Sequence, residues 1–345
     1  MAAQTGAVDD TRPGTGPQVM RAVVQDGYGP PAQVLRVAQL PVPVPGPDEV
    51  LVRTRAVGIN PADVFLTTGR PGMLRVTMGV RRPKYTGRGQ DVAGVVEAVG
   101  SAVTHLRSGD EVFGEVPVTR GAGTLAELVR VPASVLAPKP DVMSFEEAGA
   151  LPMVGLTALA ALSVAGVGAG TRLLVNGAAG GIGHLAVQLA RGLGAEVTGV
   201  CSARNVDWVR SLGATRVVDY ATEDFTRSGE YDVILDNVLN RRLRDVRRAL
   251  APRGTLLLNS GNGGRILGPL PRMAHGILAS LVSRQTIRAF GATSSTRELV
   301  RLADLVRAGE LRVVVEHAYP MDQTVAAFER VATGRVAGKV VVTVP

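Results

Sequence analysis

The run Leu173-Leu174-Val175-Asn176-Gly177-Ala178-Ala179-Gly180-Gly181-Ile182-Gly183-His184 constrains this chain more than any other stretch. An apolar strand enters a glycine-rich turn, and a helix with Ala186, Leu189 and Ala190 on one face leaves it. Glycines at such a corner permit a tight turn, bring backbone N–H groups against a pyrophosphate and let the helix pack closely on the strand. A glycine-rich turn with no ligand is the plain alternative. The strand–turn–helix–strand setting favours a dinucleotide site, with Gly180, Gly181, Ile182 and Gly183 facing the phosphates.

The turn lies within a regular alternation. Strands are expected at 172–176, 196–200, 216–219, 231–236 and 255–259, and helices at 181–193, 206–212 and 241–250. Such alternation means a parallel sheet covered on both faces. Upstream, 21–25, 49–57, 91–99 and 111–116 read as short strands bounded by Gly, Pro and Asp. Pro41, Pro43, Pro45 and Pro47 mark an extended connector into the strand at Val50. Helical periodicity at 145–150 and 155–165 bridges the two parts, and the tail mixes helices at 295–308 and 323–332 with strands at 313–315 and 339–344. Residues 1–19 are polar, with no apolar run behind a basic start, and read as a flexible tail rather than a signal peptide.

At 345 residues the chain can hold two packed domains. No apolar run approaches the roughly 18 residues that a membrane helix needs, so no membrane partner is expected and the cytoplasm is the default compartment. Cys201 is the only cysteine, which excludes an intrachain disulfide and a cysteine-built metal site. It reads as a small packing residue rather than a reactive thiol. The net charge of +8 raises the question of nucleic acid, but the basic residues are scattered among acids and aromatics make up only 3%. No nucleic-acid partner is expected on that pattern, although a basic surface would help to collect an anionic cofactor.

The second strand of the alternation decides which dinucleotide. Where an NAD site places an acid for the ribose hydroxyls, this chain has Cys201-Ser202-Ala203-Arg204-Asn205. Without a carboxylate the 2′-phosphate of NADPH meets no repulsion. Ser202 and Arg204 can donate hydrogen bonds to it, each charge-assisted contact worth roughly 1.5–3 kcal/mol. NADPH is therefore expected over NADH. The competing reading of Arg204 is a solvated charge at a helix start.

Three further motifs, Val57-Gly58-Ile59-Asn60-Pro61-Ala62-Asp63, Gly89-Gln90-Asp91-Val92-Ala93-Gly94-Val95-Val96-Glu97-Ala98-Val99-Gly100 and Gly338-Lys339-Val340-Val341, join the glycine turn in resembling one family. This is the quinone oxidoreductase branch of the medium-chain dehydrogenase/reductases, which includes zeta-crystallin and plant alkenal/one reductases. The stretch 197–205 with Asp219-Tyr220 resembles a bacterial subgroup labelled NAD(P)-dependent alcohol dehydrogenase. The resemblance implies an α/β chain: a GroES-like β-rich substrate domain over 20–152, completed by 293–345, and a doubly wound Rossmann domain over 153–292. A cleft between them and a homodimer are implied as well.

By the same resemblance Asn60 lies beside the nicotinamide and Thr157 near the pyrophosphate. Ser202, Arg204 and Tyr220 gather round the 2′-phosphate, with Arg335 a lesser addition, while Asn237, Ser260, Gly261 and Lys339 border the nicotinamide half. Each has a bland alternative: a turn residue before Pro61 for Asn60, a strand-end packing group for Tyr220, a surface charge on an edge strand for Lys339. Asp63 is either polar in the cleft or a structural loop residue. Many relatives carry a tyrosine two residues after that acid; here Phe65 stands there. In zinc-dependent relatives a cysteine occupies the place of Asn60 and a His-Glu pair that of Gln90-Asp91, and their four-cysteine lobe has no counterpart here. His105, His184, His275 and His317 fall in unrelated segments, and zinc needs three or four close ligands, so no metal is expected.

The implied reaction is hydride transfer from NADPH to a small hydrophobic acceptor, a quinone or an α,β-unsaturated carbonyl. Backbone N–H groups or Asn60 would meet the developing oxygen charge and solvent would supply the proton. Enoyl-thioester or carbonyl reduction and a non-catalytic NADPH-binding role are the other two readings. No Ser/His/Asp or Cys/His arrangement competes. The segment 261–284, with an apolar helix at 273–282 that holds His275, could line a hydrophobic pocket or a subunit contact, and its amphipathicity favours packing.

Overall fold

The structure, a computed structural model, describes residues 18–345 apart from 118, 120–122, 260–263, 265 and 282. The tail expected at 1–19 lies almost wholly outside the described residues. In chain order the strands are β1 Val19–Gln25, β2 Leu35–Pro41, β3 Glu49–Ile59, β4 Asp91–Val99, β5 Glu111–Glu115, β6 Leu128–Pro132, β7 Leu136–Pro138, β8 Arg172–Asn176, β9 Glu196–Cys201 and β10 Arg216–Asp219. They continue with β11 Tyr231–Asp236, β12 Leu250–Leu258, β13 Thr286–Ala289, β14 Val315–Pro320 and β15 Lys339–Thr343.

Six of these form a parallel sheet in the order β10-β9-β8-β11-β12-β13, and the chain direction across it reverses between β8 and β11. Ligands of such doubly wound sheets bind outside the carboxyl ends of the strands at this reversal. The strands hold the middle of the sheet because both faces are apolar. Leu173 and Val175 of β8 enter one core and Leu174 enters the other; β11 repeats the division with Val233 and Leu235 against Ile234. Each Leu or Ile so buried contributes about 1.5–3 kcal/mol.

A seven-stranded sheet runs β14-β15-β3-β4-β5-β7, with β6 also paired to β3. The last strand of the chain therefore lies between β14 and β3, antiparallel to β3 with Val340 opposite Ile59. One core joins the two sheets: Ala56, Ala93 and Phe113 of the seven-stranded sheet pack in the same cluster as Leu173 and Val175.

Several boundaries differ from the sequence expectation. The helix expected at 241–250 is only Leu243–Arg248, and β12 begins at Leu250 rather than Thr255. A register shift at β11 lets Tyr231 pair with Leu250 before Val233 pairs with Thr255, so the Pro252-Arg253-Gly254 turn signal sits inside a strand. The strand expected at 313–315 is instead Val315–Pro320, whose polar, half-exposed sequence lacks an apolar run. The loop expected around Asp63 is a helix, Pro61–Thr68, with Pro at its first turn and Gly69 closing it at φ 61°. The apolar helix spans Leu270–Leu281 and exposes Leu270, Ile277 and Leu278.

His184 ties the two sheets together. It lies on the helix Gly181–Gly192, fully buried, with Nδ1 3.0 Å from the Gly180 carbonyl oxygen and Nε2 accepting from the Val314 N–H at 3.3 Å. These partners fix the neutral Nδ1–H tautomer. Burial holds the imidazole at about 4, against 6.5 for a free one, outweighing the pull of the Gly180 bond. Between those values the unfolded chain binds a proton that the folded chain refuses, so this stability is complete above pH 6.5 and declines as pH falls toward 4. The loss reaches about 3 kcal/mol. Urea unfolding of the wild type and of His184→Gln at a series of pH values should show the stability gap between them narrowing on acidification; a gap independent of pH contradicts a neutral buried imidazole.

Candidate functional site

The glycine turn sits where β8 ends, at the reversal point of the sheet. Gly177 has φ 81°, a conformation that side chains disfavour, and a Cβ on Gly183 would overlap the Gly177 carbonyl. Gly180 opens the helix Gly181–Gly192 in extended conformation with no side-chain cap. A Cβ at Gly181 would come within 3.1 Å of both the Lys339 and Val154 side chains. The turn thus presents a bare helix N-terminus, the arrangement that receives a pyrophosphate. Thr157 stands on the adjoining helix Pro152–Val164, half-buried, its hydroxyl donating to the Met153 carbonyl at 2.7 Å. Ile182 packs half-buried against the shared core.

At the adenosine end, β9 and β10 pair Cys201 with Asp219, so the residues just beyond them, Ser202 and Tyr220, lie side by side. The Tyr220 N–H donates to the Cys201 carbonyl at 3.1 Å and its ring is 49% exposed. The Ser202 hydroxyl accepts from Asn205 at 3.3 Å. Arg204 is exposed and reaches 131 residues along the chain to donate to the Arg335 carbonyl at 2.7 Å. Arg330 donates to that carbonyl too, at 3.1 Å, while Glu316 balances Arg330. Arg204 and Arg330 thus meet at the Arg335 carbonyl, and β9 ends without a carboxylate. Cys201 is buried and its thiol is pushed up to about 11 by desolvation, as suits a packing residue.

The other end is polar and deeply buried. Asn60 is 1% exposed at the end of β3. Its Nδ2 donates to Asp91 Oδ2 at 2.8 Å and to the Gly58 carbonyl at 3.3 Å, while its Oδ1 accepts from the Lys339 ammonium at 2.5 Å. Lys339 also donates to the Ile59 carbonyl at 3.1 Å and lies 3.6 Å from Asp91. Asp91 Oδ1 accepts from the Met153 N–H at 2.8 Å, which orients the helix carrying Thr157. Asp63 accepts from the Asn60 N–H at 2.9 Å and from Gln90 at 3.4 Å. Lys339 is therefore not the surface charge on an edge strand that was one alternative; it is 3% exposed on an inner strand. The Asn60 amide has no donor left for an incoming oxygen, so it shapes the site by fixing its wall.

Burial governs the charges here. It pushes Asp63 up to about 6 and raises Asp91 against the opposing pull of Lys339, and it lowers Lys339 despite Asp91. Sequence reasoning did not single out Asp91 as the partner of Asn60, nor Glu115. The signals available were the shared place of Asn60 and Gln90-Asp91 among the zinc ligands of relatives, and Gly58, where a Cβ would lie 2.5 Å from the Gly149 carbonyl and 2.9 Å from Asp91 Oδ2.

Between the two ends, Asn237 donates to the Asn176 carbonyl at 3.2 Å and accepts from Asn259 at 2.8 Å, while Asn176 donates to Asp236 at 2.7 Å. These amides line the carboxyl ends of β8, β11 and β12. Ser260 and Gly261, expected beside Asn237, lie outside the described residues.

A zinc ion does not fit this site. The places of the zinc ligands in relatives hold Asn60, whose amide oxygen and nitrogen are both engaged, and Gln90-Asp91, whose carboxylate is bound by Asn60 and paired with the Lys339 ammonium, which would repel a dication. Among the described residues no group of three or more His, Cys, Asp or Glu is arranged to hold a metal.

The Lys339–Asp91 pair yields a direct test. Lys339→Met should cost about 3–5 kcal/mol by leaving a buried carboxylate unpaired. Adding Asp91→Asn should restore much of that loss, a coupling measured by a double-mutant cycle of urea unfolding. Additive losses would show the two groups to be independent.

The alcohol dehydrogenase GroES-like domain family matches residues 46–141, and the family described as zinc-binding dehydrogenase matches 212–342. A chloroplast envelope quinone oxidoreductase homolog of Arabidopsis thaliana is 30% identical over 340 residues, covering 94% of this chain and 98% of the relative. The chloroplastic NADPH-dependent alkenal/one oxidoreductase of the same plant is 30% identical over 348 residues, covering 98% and 83%. Among solved structures, the quinone oxidoreductase from Coxiella burnetii superposes with a TM-score of 0.84 at 28% identity, covering 95% of this chain and all of that one. With the glycine turn, the reversal point and the engaged Asn60 in view, this chain belongs to the quinone oxidoreductase branch of the medium-chain dehydrogenase/reductase superfamily.

Proposed function

We propose that this chain is an NADPH-dependent oxidoreductase that reduces a quinone or an α,β-unsaturated carbonyl without zinc. One observation carries the reading: β9 ends in Ser202 and Arg204 rather than an acid, with Tyr220 following the paired end of β10 and the Arg204 guanidinium bound to the Arg335 carbonyl. The names of the relatives, quinone and alkenal/one oxidoreductases, support the acceptor class. NADPH supplies hydride from its nicotinamide C4 when bound.

The chain's own residues hold, orient and exclude water. Gly180, Gly181, Ile182 and Gly183 offer backbone N–H groups to the pyrophosphate, with Thr157 beside them. Ser202, Arg204, Tyr220 and Arg335 take the 2′-phosphate. Asn237 and the Lys339–Asn60–Asp91 knot wall the nicotinamide half, and Asp63 fixes the Asn60 backbone. The Arg88 guanidinium, buried behind Asp63, is lowered to about 10 by desolvation and adds positive potential there. Backbone N–H groups meet the charge that develops on the acceptor oxygen.

A homodimer and a small hydrophobic acceptor belong to the same proposal, with neither nucleic acid nor membrane as partner. The unpaired outer side of β13 and the exposed Leu270, Ile277 and Leu278 support the dimer. No helix among the described residues is long and apolar enough to cross a membrane. The cytoplasm, a compartment rich in NADPH, is the proposed location.

Oxidation of NADPH by purified protein, followed at 340 nm with 9,10-phenanthrenequinone, an alkenal and crotonyl-CoA in parallel, tests the function. Turnover with the first two is expected; turnover with the thioester alone, or none at all beside tight NADPH binding, would replace the reading. Arg204→Ala should raise the NADPH KM about ten- to a hundredfold and leave NADH nearly unchanged. Equal losses with both cofactors would remove Arg204 from the 2′-phosphate site.

A further inference from the structure

Three carboxyls gather at the inner end of β4 and β5. The strand register sets Asp91 opposite Glu115. Asp63 arrives from the helix Pro61–Thr68 and is joined to the group through the Asn60 N–H and Gln90. One buried ammonium faces them, and Lys339 is already committed to Asp91, Asn60 and the Ile59 carbonyl. Arg88 acts on Asp63 from behind, but its own N–H groups go to Gln25 and to the Tyr85 and Gly87 carbonyls.

Glu115 is the member left without a partner. Among the described residues its carboxyl makes no hydrogen bond or ion pair, yet Asp91, Asp63 and Lys339 all lie near enough to act on it. Its main chain is fixed at the seam between the two sheets, where its carbonyl accepts from the Ser294 hydroxyl at 3.0 Å just after the chain returns from β13. The residue is half-buried, so a proton on it can exchange with solvent.

We propose that Glu115 is the proton donor of the site: set by the strand register opposite Asp91, beside Asp63 and Lys339, it supplies a proton to the acceptor oxygen during reduction. The proposal rests on the reductase reading above. The hydride that NADPH would supply, leaving NADP+, would form the new C–H bond at the β-carbon of an α,β-unsaturated carbonyl; the π electrons would move to oxygen, and that oxygen would take the Glu115 proton to give the enol. The Glu115 O–H bond breaks to leave a carboxylate, and solvent returns the proton through the exposed edge. Burial, then the charges of Asp91 and Asp63, push the carboxyl up to about 7, with Lys339 opposing. A carboxyl so placed is charged and uncharged in comparable amounts near neutrality, as a proton donor requires.

Two measurements test this. In protein labelled with carboxyl-13C glutamate, one resonance absent from Glu115→Gln should titrate near pH 7; a Glu115 midpoint in the ordinary carboxylate range overturns the proposal even if no acceptor is turned over. In steady state, wild-type kcat should fall above about pH 7, whereas Glu115→Gln should lack that limb and run about a hundredfold slower, with NADPH affinity by fluorescence unchanged. Glu115→Asp should recover part of the rate and the limb. A variant with wild-type rate and profile on an acceptor that the wild type reduces would overturn the donor role, whereas failure of the wild type on every acceptor would overturn the reductase reading instead.

Discussion

The ammonium of Lys339 is the contact on which the site depends. Buried in an inner strand, it could not stay charged without partners, and it finds three: the Ile59 carbonyl, the Asn60 amide oxygen and the Asp91 carboxylate. Those partners stand at the end of β3 and the start of β4, far apart along the chain. Satisfying one charge therefore positions the last strand, sets the Asn60 amide and holds the carboxylate that orients the helix Pro152–Val164. The pairing adds little net stability once desolvation is counted, but losing one member leaves a bare charge in the core. Its value is in selecting one arrangement.

That arrangement links the two sheets. The Gly338 N–H donates to the Ala179 carbonyl at 2.9 Å, the Lys339 N–H to the Val314 carbonyl at 2.9 Å, and the Val314 N–H to His184. The glycine turn and the polar knot are thus neighbours through main-chain bonds rather than through a flexible linker. At the far end Arg204 repeats the device by binding the Arg335 carbonyl. Both ends of the candidate site are built from residues more than a hundred positions apart, which makes the site a product of the whole chain.

The glycine turn and its alternating strands were legible because local physics dictates them. Continuous apolar runs, a turn that only glycine tolerates and a helix start without a cap all leave marks within a dozen residues. The missing acid after β9 was legible for the same reason. The Lys339 knot was not. Nothing near Lys339 in the sequence says whether β15 lies at an edge or in the middle, and the answer comes from β14, whose polar and half-exposed residues carry no strand signal. Asp91 stands at a ligand place of the zinc-dependent relatives, but nothing near it in the sequence shows that it bonds Asn60 and Lys339, which the space beside Gly58 allows. Likewise Pro252, Arg253 and Gly254 fall in the irregularity between the Leu250 and Thr255 pairings, so the strand starts earlier than its apolar run.

The same knot is the reason a metal does not fit at the end of β3 in this chain. A dication at the end of β3 needs lone pairs aimed at it. Here Asn60 spends its oxygen on an ammonium and its nitrogen on a carboxylate, and the ammonium supplies the positive charge that a metal would otherwise bring. An ammonium tied by two hydrogen bonds and an ion pair has little left for a substrate oxygen, so in the proposed reduction oxyanion stabilisation falls to backbone N–H groups and to proton supply. Proton supply in turn requires a carboxyl that the single cation does not neutralise. With Asp91 paired to Lys339 and Asp63 bound to the Asn60 backbone, the charge balance of the site leaves that part to Glu115, across the strand pair from Asp91.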